Sequence, residues 1–112
     1  LVVPEHKVPR AKFPVVDIHG HPPRLTGPDV VNTVGDSMSP LNLQVMVNAN
    51  ATPSADIASS LAAIAASRYK DRMVMFTSLD LRNVGPGSGQ KIAAQLEADV
   101  KAGALGVGEI MK

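Results

Sequence analysis

The strongest constraint on this chain's fold is the regular alternation of strand-like and helix-like stretches along its length. Residues 14–21, PVVDIHGH, interleave β-branched residues with Asp17, His19 and His21, so on a strand these three share one face. Gly27-Pro28-Asp29 has the form of a helix start, with Pro at the first helical position and an acid in the first turn, and predicts a short helix to about Met38. Residues 41–50, LNLQVMVNAN, predict a second strand with Leu41, Leu43, Val45 and Val47 on one parity and Met46 on the other, both faces buried. Thr52 can cap a helix with Pro53 at its first position and Asp56 in its first turn. Ile57, Leu61 and Ile64 then line one stripe, and the helix runs to near Tyr69.

Residues 73–81, MVMFTSLDL, are almost continuously apolar, as in a parallel strand covered by helices. After the loop NVGPGSG, residues 89–102 place Ile92, Leu96 and Val100 at helical spacing, with Lys101 in the last turn and Gly103 just beyond it. Residues 106–112, GVGEIMK, read as a fourth strand. The order β-α-β-α-β-α-β implies a parallel sheet with right-handed crossovers, hence an α/β fold. Residues 1–13 contain Pro4 and Pro9 with no sustained period, and read as an extended arm preceding a domain over 14–112.

Composition narrows the function classes. A net charge of +1, with one Tyr, two Phe and no Trp, offers neither a basic field nor stacking rings for nucleic acid. Without Cys there is no disulfide framework and no thiolate metal site, so any metal must be held by His and carboxylate. No apolar run approaches the ~20 residues that cross a bilayer, which predicts a soluble chain with no membrane partner. The chain opens on Leu and stops at Lys112 directly after a strand-like segment, so both ends read as cut or processed, and export with removal of a signal peptide is compatible with this.

Two His at i and i+2 on a strand point the same way and can bind one cation together. The alternative for His19 and His21 is a pair of polar loop groups at a strand end. Asp17, two residues deeper, can accept a hydrogen bond from an imidazole and orient it, or serve as a buried polar residue.

Asp17, His19 and His21 resemble the Asp-x-His-x-His that ends the first strand in amidohydrolase family 2. The likeness continues through LNLQVMVNAN, RYKDRMVMFTSLDLRNV and GQKIAAQLEADVKAGALGVGEIMK, nearly the whole chain after the arm. The resemblance implies a (β/α)₈ barrel. Because such a barrel needs ~250 residues, it implies the first half, about four strands with their helices. It also implies a divalent metal, most often Zn²⁺, on His19 and His21 at the rim of the barrel facing a small-molecule substrate. The last segment is where related enzymes place a bridging carboxylate or a carboxylated Lys. GVGEI is similar to the Gly-Glu-Ile segment of deoxyribonuclease-like members, which favours Glu109 as a ligand over an ordinary ion-pair role. Glu109 and Lys112 have opposite parity, so regular pleating turns only one of them inwards. Asp80, Ser78, Asn48 and Asn50 fall near strand ends, where they can contact substrate or cap the following loop. The remaining ligands and the catalytic base are expected outside this chain.

The expected activity of the parent protein is metal-dependent hydrolysis of an amide, ester or related bond, or a related decarboxylation on the same site, with little catalysis from this chain alone. The competing expectation is a noncatalytic half-barrel, an interaction module whose two open sheet edges promote homo-oligomers. A flavodoxin-like domain would need a Gly-rich phosphate loop after the first strand, which the sequence lacks. Lys7, Arg10 and Lys12 read as a solvated arm, and His6 has no partner at strand spacing.

Overall fold

The structure, a computed structural model, describes residues 3–50, 52, 54–79, 81–82 and 84–110. The elements run β1 (Val15–Gly20), α1 (Pro28–Met38), a 3₁₀ turn (Ser39–Leu41), β2 (Leu43–Asn48), α2 (Ser54–Ala65), β3 (Met73–Thr77), α3 (Ser88–Ala102) and β4 (Gly106–Val107). The four strands are parallel and adjacent in chain order, β1-β2-β3-β4, forming one curled half-barrel sheet. The shortest dimension of the molecule, 20 Å, accommodates one sheet and one helix layer.

Local sequence explains the first layer. Gly27, extended at φ −174°, caps α1, Pro28 opens it and Asp29 sits in its first turn, while Val31, Val34, Gly35 and Met38 form its buried stripe. On α2 the corresponding stripe is Ile57, Ser60, Ala63 and Ile64, with Leu61 partly buried against it. Met73, Met75 and Thr77 on β3 are buried, whereas Val74 and Phe76 between them are half-buried. The apolar run of β3 is therefore covered fully on its helix side only. Leu25, Val31, Val34, Met38, Ile57, Ile64, Met73 and Met75 are among the residues of the single core that fills the space between sheet and helices.

Several elements differ from the sequence expectation. The second helix stops at Ala65 instead of near Tyr69, because the Ser67 hydroxyl donates to the Ile64 carbonyl (2.7 Å) and accepts the Tyr69 N–H (3.1 Å), turning the chain. Tyr69 then lies against Gly35, and its hydroxyl donates to Asp36 Oδ1 at 2.5 Å. Before β2 the chain turns through Ser39–Leu41 and a left-handed Asn42 (φ 62°), so the strand starts at Leu43 rather than 41. Both faces of β2 were expected to be buried, yet Gln44 is exposed and only Val47 and Asn48, at the end of the strand, are fully buried.

On α3 the expected stripe is buried only in part: Ile92 and Leu96 are half-buried, Val100 is exposed, and the fully buried residue is Asp99. Its Oδ2 accepts hydrogen bonds from Thr77 (2.6 Å) and Ser54 (3.0 Å), so a polar anchor, not apolar contact alone, seats this helix. Gly103 at φ 115° closes α3, accepting the expected role. Of the predicted strand 106–112, Gly106 and Val107 are strand and 108–110 are not, while 111–112 lie outside the described residues. Thr52 donates to the Asn50 carbonyl instead of capping α2, and the expectation for Pro53 lies outside the described residues.

Residues 3–13 have no regular secondary structure. The end of this segment is tied to the 3₁₀ turn by Arg10 to the Ser39 and Pro40 carbonyls and by the Ala11 N–H to the Leu41 carbonyl. Among the described residues no helix is long and apolar enough to cross a membrane. Apolar side chains stand exposed along the two outer strands and their continuations, Ile18 (77%) in β1 and Leu105 (76%) just before β4 being the extremes.

Candidate metal centre

His19 is the penultimate residue of β1, and His21 is the first residue beyond it. Their rings stand 5.0 Å apart between centroids, inclined at 47°, so the two imidazoles project together from the strand end. Gly20 between them is buried because the backbone here approaches β2. A Cβ at Gly20 would lie 2.7 Å from Met46 Cγ and 3.0 Å from Asp17 Oδ2.

Glu109 reaches this pair from the far side of the sheet. The Gly108 N–H donates to the Thr77 carbonyl (2.8 Å), and the Glu109 N–H donates to the Ala49 carbonyl (3.0 Å), just past β2. Ala49 in turn donates its own N–H to the Gly20 carbonyl (3.0 Å). This backbone bridge carries the chain across the end of β3 and brings Glu109 Oε2 to 3.7 Å from His21 Nε2 and 4.0 Å from His19 Nε2. All three side chains can present a ligand atom within 4.8 Å of the others. Pleating does not decide the orientation of Glu109, since it lies beyond the regular part of β4.

Two imidazoles and one carboxylate are a borderline-to-hard donor set that suits a divalent ion such as zinc. Donors around a tetrahedral ion at ~2.0–2.1 Å stand about 3.3 Å apart, slightly closer than here. The three side chains are 42–55% exposed, so small rotations would close that difference without disturbing the core. The cluster could therefore hold a metal ion.

Asp17 is placed differently from the regular alternation. Asp17 pairs with Met46 and Gly20 with Asn48, three steps along β1 against two along β2, so the strand contains an irregularity between them. The Asp17 carboxylate consequently sits beside Gly20, where Oδ1 accepts the backbone N–H of His19 (3.0 Å). The imidazole partner is instead Asn50, whose Oδ1 lies 3.0 Å from His21 Nδ1. Asn50 is itself held by its amide Nδ2 donating to the Pro22 carbonyl (2.7 Å) and by its backbone N–H donating to Asn48 Oδ1 (3.0 Å). The signal in the sequence was two Asn residues near the end of a strand, a pattern that allows substrate contact and more often means capping of the following loop.

Asn48 is buried, donates to Met75 Sδ and supports Asn50, and the Ser78 carbonyl accepts from Gln95. Asp80 and Lys112, named above for substrate contact or alternative ligation, lie outside the described residues. Behind Asn50, a cleft lined by Pro22, Arg24, Asp56 and Ser60, with Arg24 and Asp56 paired across it, opens beside the cluster. Comparisons of the chain with protein-family models, with curated proteins and with solved structures find no match.

Proposed function

We propose that the chain is part of a metal-dependent hydrolase of the amidohydrolase type, built on the first half of a (β/α)₈ barrel, with His19, His21 and Glu109 as metal ligands. The observation that carries this reading is the meeting of those three side chains at the C-terminal end of a parallel sheet, where barrel enzymes carry their chemistry. A divalent ion held there, zinc by preference, would polarise a substrate carbonyl and bring the pKa of water towards ~7. Hydrolysis would then need no nucleophile from the protein: water adds to the carbonyl carbon and gives up a proton, the C–N or C–O bond breaks, and the leaving nitrogen or oxygen takes up that proton.

The chain's own residues supply binding and orientation. Two imidazoles and the Glu109 carboxylate hold the cation, with one of two positive charges offset by the carboxylate, while Asn50 holds His21 in place. Three donors from this chain leave one position of a four-coordinate shell for water or substrate, and a further ligand from the rest of the parent protein would expand it. The expected substrate is a small molecule, since a net charge of +1 with few aromatic rings does not favour nucleic acid.

The test is zinc titration by calorimetry with parallel elemental analysis of the full-length protein. One divalent ion per chain, lost in His19→Ala and in Glu109→Gln, together with hydrolysis that disappears in His19→Ala, is the expected result. Absence of a stoichiometric ion, with hydrolysis unchanged by His19→Ala, rejects the reading.

A second reading, an interaction module without catalysis, is supported by the apolar side chains exposed at both sheet edges, Ile18 at one and Leu105 and Ile110 at the other. Concentration-dependent sizing that shows association, with no cation bound, would favour it over the first.

A further inference from the structure

Asn50 is the only amide in contact with either imidazole of the cluster among the described residues, and its geometry constrains which nitrogen of His21 carries the proton. The Pro22 carbonyl can only accept a hydrogen bond, so the atom of Asn50 that lies 2.7 Å from it must be the amide nitrogen. The reverse orientation would set two carbonyl oxygens against each other at that distance. The side-chain oxygen of Asn50 therefore faces His21 Nδ1 at 3.0 Å, and because a carbonyl oxygen has no proton to give, Nδ1 must supply it. From these contacts we infer that Asn50 is a positioning residue, locking His21 as the Nδ1–H tautomer and leaving the Nε2 lone pair directed at the space shared with Glu109. Nε2 is the atom that stands 3.7 Å from Glu109 Oε2.

The lock joins two strand ends: the Pro22 carbonyl, next to the imidazole's own residue, orients the amide, and the end of β2 holds the Asn50 backbone. The Asn50 backbone N–H donates to Asn48 Oδ1, and the Asn48 amide, 4% exposed, donates to Met75 Sδ on β3. The position of Asn50 thus depends on the sheet interior, whereas His21 itself is on a half-exposed strand end. Neutral imidazole in water favours the opposite tautomer, with the proton on Nε2, which would block that nitrogen as a ligand. By fixing the ring before any cation arrives, Asn50 removes a tautomer change from binding. The role in cation binding rests on the metal-centre reading, whereas the tautomer itself is a property of the protein alone.

The test uses ¹⁵N-labelled protein without added metal, at about pH 8, above the ordinary imidazole range, with long-range ¹H–¹⁵N correlation to read the tautomer of each His. In the unsubstituted protein His21 is expected to be the Nδ1–H form. Asn50→Ala should shift His21 towards Nε2–H and leave His19 as it was. Asn50→Asp gives up the hydrogen bond to the Pro22 carbonyl, but once turned away from it the carboxylate can still only accept from Nδ1, so this variant should retain the Nδ1–H form and serves as the readout if the Ala variant does not fold. A His21 found as Nε2–H or as a mixture in the unsubstituted protein, or unmoved by Asn50→Ala, overturns the inference.

Calorimetry with Zn²⁺ alone forms the second arm. Asn50→Ala should bind it about 10–100-fold more weakly, the usual effect of losing a partner that orients a ligand, and equal affinity in the two proteins overturns the positioning role. If the unsubstituted protein binds no Zn²⁺ while its His21 is Nδ1–H, the metal-centre reading fails and the tautomer lock stands, so the two failures are told apart.

Discussion

Glu109 Oε2 lies 3.7 Å from His21 Nε2, although one residue follows the last strand of the sheet and the other the first. The contact depends on the Glu109 N–H reaching past β3 to the Ala49 carbonyl. On the metal-centre reading, Glu109→Gln keeps the size of the side chain and the backbone bridge but removes the charge. Zn²⁺ affinity measured by calorimetry should fall by more than the ~10–100-fold that an orienting partner is worth, with the circular dichroism spectrum unchanged. Equal affinity would remove Glu109 from the ligand set.

Gly20 is predicted to be intolerant of a side chain. A Cβ there would stand 2.7 Å from Met46 Cγ, a contact that requires Met46 to move or the two strands to part. Gly20→Ala should destabilise the fold by about 1–3 kcal/mol, the range for overpacking, because Met46 is flexible but packed against the core. Urea denaturation checks this, and the Ala variant combined with Met46→Ala should recover part of the loss.

Gly35→Ala sets two effects against each other. Replacing a mid-helix Gly with Ala gains up to about 1 kcal/mol of helix propensity, yet the new Cβ would lie 2.1 Å from the Tyr69 ring. A rigid ring cannot yield as a Met can, so the clash wins and net destabilisation is expected. A raised urea midpoint in Gly35→Ala would show that the Tyr69 contact is looser than the structure has it.

Stability should depend on acid through Asp36. The hydrogen bond from Tyr69, followed by the Arg68 guanidinium, holds its carboxyl below the ordinary value of 3.8. A carboxyl whose folded pKa is depressed contributes stability that is present above about 3.8 and lost as pH falls through the lower folded value. Asp36→Asn should therefore unfold at lower urea than the parent at pH 6, with the gap closing below pH ~3.8 as the parent's carboxyl also becomes neutral. A gap that stays constant down to pH 2 would assign the effect to packing instead of charge.

Asp99 is the buried anchor of α3. Asp99→Ala leaves the Thr77 and Ser54 hydroxyls without their acceptor in a site 2% exposed, and should cost about 2–4 kcal/mol. Asp99→Asn, which retains an acceptor oxygen, should cost less. In the fraction that remains folded, Zn²⁺ affinity is expected to be unaltered, because Asp99 does not touch the cluster.

Much of the layout was legible without coordinates. Pro28 after Gly27, Gly103 after Lys101 and the apolar spacing of Ile57 and Ile64 each state a local rule that the chain obeys. His19 and His21 are paired by a two-residue spacing that any strand would honour. Of the misses, the end of α2 is a local one, the Ser67 hydroxyl bridging Ile64 and Tyr69, whereas on α3 a remote contact decides, Asp99 meeting Thr77 and Ser54 while Val100 faces out. Asp17 illustrates the same limit within one strand, since strict alternation cannot reveal an irregularity whose register is set against β2.

By itself the sequence determined the order of strands and helices, their parallel arrangement and the presence of two imidazoles on one strand end, because periodicity, caps and chain handedness act over a few residues. Only the tertiary structure decided that Glu109 crosses to those imidazoles and that Asn50, not Asp17, meets the His21 ring. Both depend on backbone hydrogen bonds between strand ends far apart in sequence, Ala49 to Gly20 and Glu109 to Ala49, and such register becomes definite only when the sheet has curled.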